Sequence, residues 1–232
     1  MFTYTGPSWA ASSYPIEDKN ATNLAKLWNI KHIDQSFHGA HAIRNFRHLR
    51  KTTGPVVWLY NEPIGVLQQA VNMEYKEFLT RNDWQDIWRE CNEYCLNSIA
   101  RLGRPVLLFG AHSDIVDCKH NNIQVGDKSW QRFLADRLGM VTRKGKINVT
   151  HQGDSFSFKT CWGADIVHRY MHLFSDVKPA ESLVDDIYNI FFFWKYLEKE
   201  NLFFEVHPNR QGNELYAEYT KPIVEKFLED TK

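Results

Sequence analysis

The sequence predicts an α/β protein: a three-layer α/β/α sandwich in which a parallel sheet lies between two layers of helices. Strand-like apolar runs alternate with segments of helical periodicity through the first half of the chain, and this alternation is typical of βαβ units. The run Val56–Tyr60 is apolar throughout, as expected for a strand buried on both faces of a parallel sheet. No internal repeat or linker divides the chain, so residues 1–232 are predicted to form one domain.

Four segments are predicted to be strands. Residues 2–5 are β-branched or aromatic, which favours extended structure. Residues 30–37 have weaker strand propensity and end before Gly39. Residues 56–60 and 105–109 are apolar runs that end at polar or glycine-containing segments. Each predicted strand therefore delivers a short loop to the edge of the sheet where open α/β folds bind their ligands.

The predicted helices rest on apolar residues at three- and four-residue spacing. Gly103 stands where the second long helix should stop, and Pro222 should kink the closing helix or start a new turn. The predicted helices are residues 22–29, 41–51, 66–79, 84–102, 129–138, 182–200 and from about 213 onward. The other face of the helix over 41–51 carries five basic residues, which form either a solvated surface or an anion-binding one: Arg44, Arg47, His48, Arg50 and Lys51.

Residues 115–180 are longer than a simple crossover needs, so we expect an insertion or lid beside the site. Within this region, residues 145–153 are polar and indicate turns, and residues 166–174 predict a further helix.

Composition limits the possible functions. The 28 basic and 28 acidic residues give a net charge of zero, which argues against a nucleic-acid partner. No apolar run reaches the length of a membrane span, so no membrane partner is expected. Strand-like sequence begins almost at Met1, which predicts no signal peptide and a cytoplasmic protein. The four cysteines lack the spacing of a zinc site, so no metal is predicted.

Two segments from opposite ends of the chain carry groups suited to nucleophilic catalysis. Ser8 follows the first predicted strand and the Gly6-Pro7 break, so its hydroxyl either caps a helix or faces the ligand edge of the sheet. His207 stands in a loop before the closing helix, and Glu205 two residues earlier could orient its imidazole. Such groups are assembled in space, so their separation in sequence is no objection.

These segments, taken in order, resemble the SGNH (GDSL-like) hydrolase family of esterases and lipases. Gly6-Pro7-Ser8-Trp9 resembles the family's Gly-Asp-Ser block, and His207-Pro208 with Gly212 resembles its last block. Gly39 and Asn61 follow the second and third predicted strands, where the family has its oxyanion donors. The resemblance implies a parallel, flavodoxin-like sheet, Ser8 as nucleophile, His207 as base, Glu205 as acid, and no metal or organic cofactor.

The sequence also departs from the family pattern. Pro7 replaces an aspartate, Leu59 stands where block three has a glycine, and the acid is Glu205 because position 204 is a phenylalanine. The segment 110–114 also mimics block three, so His112 is an alternative oxyanion donor to Asn61; by strand count it comes one strand too late, and His112 with Asp114 is expected to line the pocket.

Gly153-Asp154-Ser155 matches the signature literally, but it lacks a strand-to-turn context, and the flanking Ser157 and Lys159 suggest an alternating exposed strand. The sequence therefore predicts a serine esterase acting on a small-molecule or glycan ester, such as an O-acyl group on a carbohydrate. The alternative is a catalytically inactive module of the same fold that binds a glycan or serves a structural role. The sequence does not indicate an oligomeric state.

Overall fold

A five-stranded parallel sheet lies at the centre of the protein, with its strands in the order β2-β1-β3-β4-β5. The computed structural model describes residues 1–15, 21–36, 42–60, 63–143, 146–151, 154–159, 166, 170, 174, 176–205 and 207–232. The strands of the central sheet are β1 (Phe2–Thr5), β2 (His32–Asp34), β3 (Val56–Tyr60), β4 (Val106–Gly110) and β5 (Ile123–Val125). Every neighbouring pair is parallel, so the predicted α/β class and parallel sheet are confirmed.

Helices flank this sheet in two groups. The first group consists of α2 (Leu24–Trp28), α7 (Trp130–Arg137) and α9 (Arg210–Asp230), in which α9 contacts both other helices. The second group consists of α3 (Ala42–Leu49), α4 (Leu67–Val71), α5 (Tyr75–Leu79) and α6 (Trp84–Ala100), in which α6 contacts all the others. Two further helices are α1 (Ser8–Ala11) and α8 (Glu181–Lys199). The two groups form the outer layers of the sandwich.

The core is rich in tryptophan, and its indole nitrogens join elements that are distant in sequence. Trp28 donates from Nε1 to Thr220 Oγ1 at 3.0 Å, which links α2 to α9. Trp194 donates from Nε1 to Gln131 Oε1 at 2.9 Å, which links α8 to α7. Buried indole N–H groups need a partner, so these bonds fix the closing helices in one position. The fully buried tryptophans are Trp28, Trp58, Trp84, Trp88, Trp130 and Trp194.

Several predicted boundaries differ from the observed ones. The predicted helix over 66–79 is instead a 3₁₀ turn (Pro63–Val66) followed by α4 and α5. Asn72 ends α4 in a left-handed conformation with φ 52°, which asparagine tolerates better than most residues. The closing helix α9 begins three residues earlier than predicted and runs through Pro222 as one element.

The prediction of turns over residues 145–153 was wrong for most of that segment. Residues Lys146–His151 form β7, which pairs antiparallel with β6 (Val141–Arg143) and β8 (Asp154–Lys159) in a separate three-stranded sheet. Polar residues dominate β7, but the side chain of Ile147 is fully buried and anchors a strand that composition alone does not indicate. The helix predicted over 166–174 falls mostly outside the described residues.

A short hairpin precedes the closing helix. Its strands are β9 (Phe203–Phe204) and β10 (His207–Pro208), which pair antiparallel with His207 opposite Phe204. None of the described helices is long and apolar enough to cross a bilayer.

Candidate active site

The candidate site lies at the carboxyl edge of the central sheet, beside the point where the strand order changes direction. β1 pairs with β2 on one side and with β3 on the other. The chain therefore runs from β1 to β2 at one edge of the sheet and then crosses back over β1 to form β3. Crevices at such switch points are where open α/β sheets bind ligands. The segment after β1, which contains Ser8, therefore begins at the position this topology favours.

Gly6 lets the chain turn sharply from β1 into α1. A Cβ atom at this position would lie 2.5 Å from the Cβ of Ala10 and 2.8 Å from the carbonyl oxygen of Leu59 in β3. Only glycine fits between these neighbours without displacing backbone. The Pro7 carbonyl then accepts the N–H groups of Ala10 and Ala11 at 2.8 and 3.0 Å. Ser8 is thereby fixed as the first residue of α1.

His207 is held against the segment that follows Ser8. α1 and β10 lie in contact, so the helix that starts at Ser8 and the strand that starts at His207 meet at this edge. The ring of Tyr14 stacks on the imidazole of His207, with 3.9 Å between ring centroids and planes 20° apart. The backbone N–H of Tyr14 also donates to the carbonyl of Pro208 at 3.0 Å. The two ends of the chain are thus joined at the candidate base.

Glu205 occupies the turn between β9 and β10. It adopts a left-handed conformation with φ 55°, its side chain is exposed, and its N–H donates to Glu198 Oε1 at 3.1 Å. A hydrogen bond from Lys195, the largest cause, lowers the pKa of Glu198, so Glu198 accepts as a carboxylate. The acid role of Glu205 stays a prediction.

The two predicted oxyanion donors, Gly39 and Asn61, lie outside the described residues. The ends of the strands that precede them are described: β2 stops at Asp34, and β3 stops at Tyr60, immediately before Asn61. The Tyr60 carbonyl accepts the N–H of Ala111 at 2.8 Å. The end of β3 therefore lies beside the segment that contains the alternative donor, His112.

His112 and Asp114 follow β4 and are buried. Asp114 Oδ1 accepts the N–H of Ser129 at 2.9 Å, and Oδ2 accepts from Arg132 Nη1 at 3.2 Å. The Asp114 and Arg132 side chains are only 1% and 4% exposed, so they form a buried ion pair at the start of α7. The His112 ring lies 6.1 Å from the Trp194 ring. Asp114 thus serves the fold, and a part in substrate binding stays a prediction for both residues.

The literal signature at Gly153-Asp154-Ser155 belongs to another part of the protein. Gly153 lies outside the described residues, and Ser155 is inside β8, opposite Thr150 in the antiparallel sheet. The strand predicted around Ser157 and Lys159 is confirmed. Ser155 therefore follows no parallel strand, unlike Ser8.

Sequence reasoning missed Tyr14, because an aromatic residue six positions after Ser8 carries no signal for a contact with a residue near the other end of the chain.

Within the described ranges, no group of three or more His, Cys, Asp or Glu residues could bind a metal ion. Comparison with known protein families, curated proteins and solved structures gave no match.

Proposed function

We propose that this protein is a serine hydrolase of the SGNH type that cleaves a carboxylic ester, with an O-acyl group on a carbohydrate as the class of substrate to test first. The observation that carries the proposal is the contact between α1, which starts at Ser8, and β10, which starts at His207. This contact lies beside the β1/β3 switch point, and it joins the segment that contains the preferred nucleophile to the segment that contains its base.

In the proposed reaction, the Ser8 hydroxyl attacks the ester carbonyl carbon while His207 accepts its proton. His207 then gives that proton to the departing alcohol as the C–O bond breaks, which leaves an acyl group on Ser8. Water, deprotonated by His207, hydrolyses the acyl-enzyme and releases the carboxylic acid. Backbone N–H groups of Ser8 and Gly39 with the Asn61 side chain would bind the oxyanion, and Glu205 would orient His207.

A specific observation favours a second candidate, a non-catalytic module that binds a glycan or serves a structural role. Glu205 stands in the tight turn between β9 and β10 with a left-handed backbone, and its side chain is exposed. The acid of a working triad is buried beside its histidine, so an exposed Glu205 is what a decayed triad would show. The two candidates differ in whether Ser8 is nucleophilic.

A fluorophosphonate probe separates the candidates, because it forms a covalent bond only with an activated serine. Intact mass should show one adduct on the wild-type protein and on Ser155→Ala, and none on Ser8→Ala. Labelling that persists in Ser8→Ala but disappears in Ser155→Ala would overturn the assignment. A wild-type protein that is folded by circular dichroism yet takes no label would favour the binding module.

The acid is tested separately with Glu205→Gln, using Glu200→Gln as the matched control, since Glu200 is an exposed glutamate at the end of α8. If Glu205 orients His207, the labelling rate falls in the first variant only. Equal rates in both variants would remove Glu205 from the triad and leave the nucleophile assignment intact.

The oxyanion donor is tested by comparing Asn61→Ala with His112→Ala. Losing one oxyanion donor typically lowers turnover on the order of 10²–10³-fold, and we expect this loss for Asn61→Ala with an unchanged melting temperature. His112 is buried, so His112→Ala should instead lower the melting temperature. Greater loss of turnover in a fully folded His112→Ala protein would move the oxyanion site to the end of β4.

A further inference from the structure

A second site is indicated at the edge of the central sheet opposite to the edge where Ser8 lies. A cavity of about 640 Å³ lies between the last turn of α3, the last turns of α6 and the loops that follow them. These loops lead into the starts of β3 and β4, so the cavity is at the amino edge of the sheet, whereas Ser8 follows the carboxyl end of β1. The cavity is therefore separate from the candidate active site.

Arg104 builds one wall of this cavity. Its Nη1 donates to the carbonyls of Thr52 and Gly54 at 2.8 and 3.2 Å, and its Nη2 donates to the Leu49 carbonyl and to Thr52 Oγ1 at 2.7 and 3.0 Å. These bonds hold the end of α3 and the loop after it in place. The guanidinium group of Arg104 therefore donates its hydrogen bonds within the protein, which distinguishes Arg104 from the other arginines of the cavity.

Three further arginines line the cavity: Arg47, Arg50 and Arg101. All three are exposed, and within the described part of the chain their guanidinium groups have no hydrogen-bond or ion-pair partner. Other exposed arginines do have carboxylate partners; Arg81 and Arg210, for example, lie 2.7 Å from Asp83 and Glu214. None of the described residues that line the cavity is acidic. No carboxylate among these lining residues offsets the positive charge of the three arginines, and a bound anion would do so.

The shape and lining of the cavity limit the kind of anion. Guanidinium groups bind phosphate through paired, charge-assisted hydrogen bonds. The volume lies within the range of small-molecule sites, and Phe46 and the 40%-exposed Tyr94 supply aromatic surface beside the arginines. We propose that this cavity binds a small phosphorylated molecule with at least two negative charges. The zero net charge of the chain favours such a ligand over a nucleic acid, whose binding needs an extended basic surface.

The proposal is tested by calorimetric titration at fixed ionic strength with three probes: pyrophosphate, glucose 6-phosphate and adenosine diphosphate. The variants are Arg47→Gln, Arg50→Gln, Arg101→Gln and the triple substitution. Arg137→Gln is the matched control, because Arg137 is also exposed without a described partner but lies at the end of α7. Saturable binding of at least one probe is expected for the wild type and the control. Each single substitution should raise its Kd about tenfold, and the triple substitution should abolish binding.

The probe that binds most tightly identifies the source of the phosphate: inorganic phosphate, a sugar or a nucleotide. No saturable binding of any probe at millimolar concentration would overturn the proposal. The proposal would also be overturned if the triple variant, with an unchanged unfolding midpoint, bound the probe as tightly as the wild type. The same holds if the triple variant and the Arg137→Gln control lost affinity equally. A single-stranded oligonucleotide that binds more tightly than every probe and is lost in the triple variant would assign the cavity to nucleic acid instead. Ser8→Ala should bind like the wild type, since this site does not depend on the proposed hydrolase.

Discussion

Replacing Tyr14 by leucine should slow the reaction of Ser8 without unfolding the protein. Tyr14 stacks on His207 with 3.9 Å between the ring centroids and 20° between the ring planes. Leucine keeps an apolar side chain but loses the stacked plane that limits rotation of the imidazole. The substitution therefore acts on the orientation of the proposed base rather than on its presence.

The size of the effect follows from the stacking energy. An aromatic pair contributes about 0.5–1.5 kcal/mol beyond the burial of its area, and each 1.36 kcal/mol corresponds to about a tenfold change in rate. If the whole stacking energy serves to hold His207 in its reactive orientation, the rate constant for fluorophosphonate labelling should fall about two- to twelvefold in Tyr14→Leu. Tyr14→Phe keeps the ring, so its rate should stay within about twofold of the wild type.

Nuclear magnetic resonance supplies a measurement that does not depend on activity. The tyrosine ring current should shift the ring-proton signals of His207 upfield in the wild type and in Tyr14→Phe, and the shift should vanish in Tyr14→Leu. Melting temperatures of all three proteins serve as the control for folding. Equal labelling rates for Tyr14→Leu and the wild type, with the ring-current shift lost, would refute the positioning role. A rate loss in Tyr14→Phe as large as that in Tyr14→Leu would assign the effect to the hydroxyl.

Three further predictions concern stability, thiol reactivity and pH. Asp114→Ala should lower the free energy of unfolding by about 3 kcal/mol. This is the low end of the range for breaking a buried ion pair, since Asp127 would still contact Arg132 at 3.2 Å. A loss under about 1 kcal/mol in a urea titration would contradict this prediction. Burial raises the pKa of the Cys91 thiol to about 12, so at pH 8 Cys91 should carry far less thiolate than an ordinary cysteine. Ellman's reagent should therefore modify the half-buried Cys118 well before Cys91 in the folded protein. Labelling of Ser8 should rise with pH as His207 loses its proton, since a general base must be neutral and free histidine titrates near pH ~6.5; a flat rate between about pH 5 and 8 would exclude His207 as the base.

The central fold could be predicted because its signals are local. Val56–Tyr60 is apolar at every position and is fully buried, so a single run of sequence suffices to identify a central parallel strand. Ser129 was predicted at the start of a helix, and its hydroxyl accepts the N–H of Arg132 at 3.2 Å as the N-cap of α7. Where one segment carries the full pattern of a strand or a cap, tertiary structure need not be known.

The elements that sequence reasoning missed depend on distant partners. β5 has only three residues, of which Ile123 alone is buried, and it is a strand because β4 offers it a free edge to pair with. β10 has two residues and includes a proline, a composition that predicts no strand. Likewise, Asp114 was expected to face a pocket, and no local pattern indicated that Arg132 and the Ser129 N–H would use both of its oxygens.

The position of His207 depends on how the closing helix docks, not on the loop that carries it. β10 is followed at once by α9, whose Thr220 accepts a hydrogen bond from Trp28 in α2. The start of the same helix is held by Asn213, which donates from Nδ2 to the carbonyl of Thr22 at 3.0 Å. α2 belongs to the crossover that leaves β1 through α1, so both bonds tie α9 to the connection that contains Ser8. One crossover therefore carries the proposed nucleophile and also anchors the helix that brings the proposed base to it.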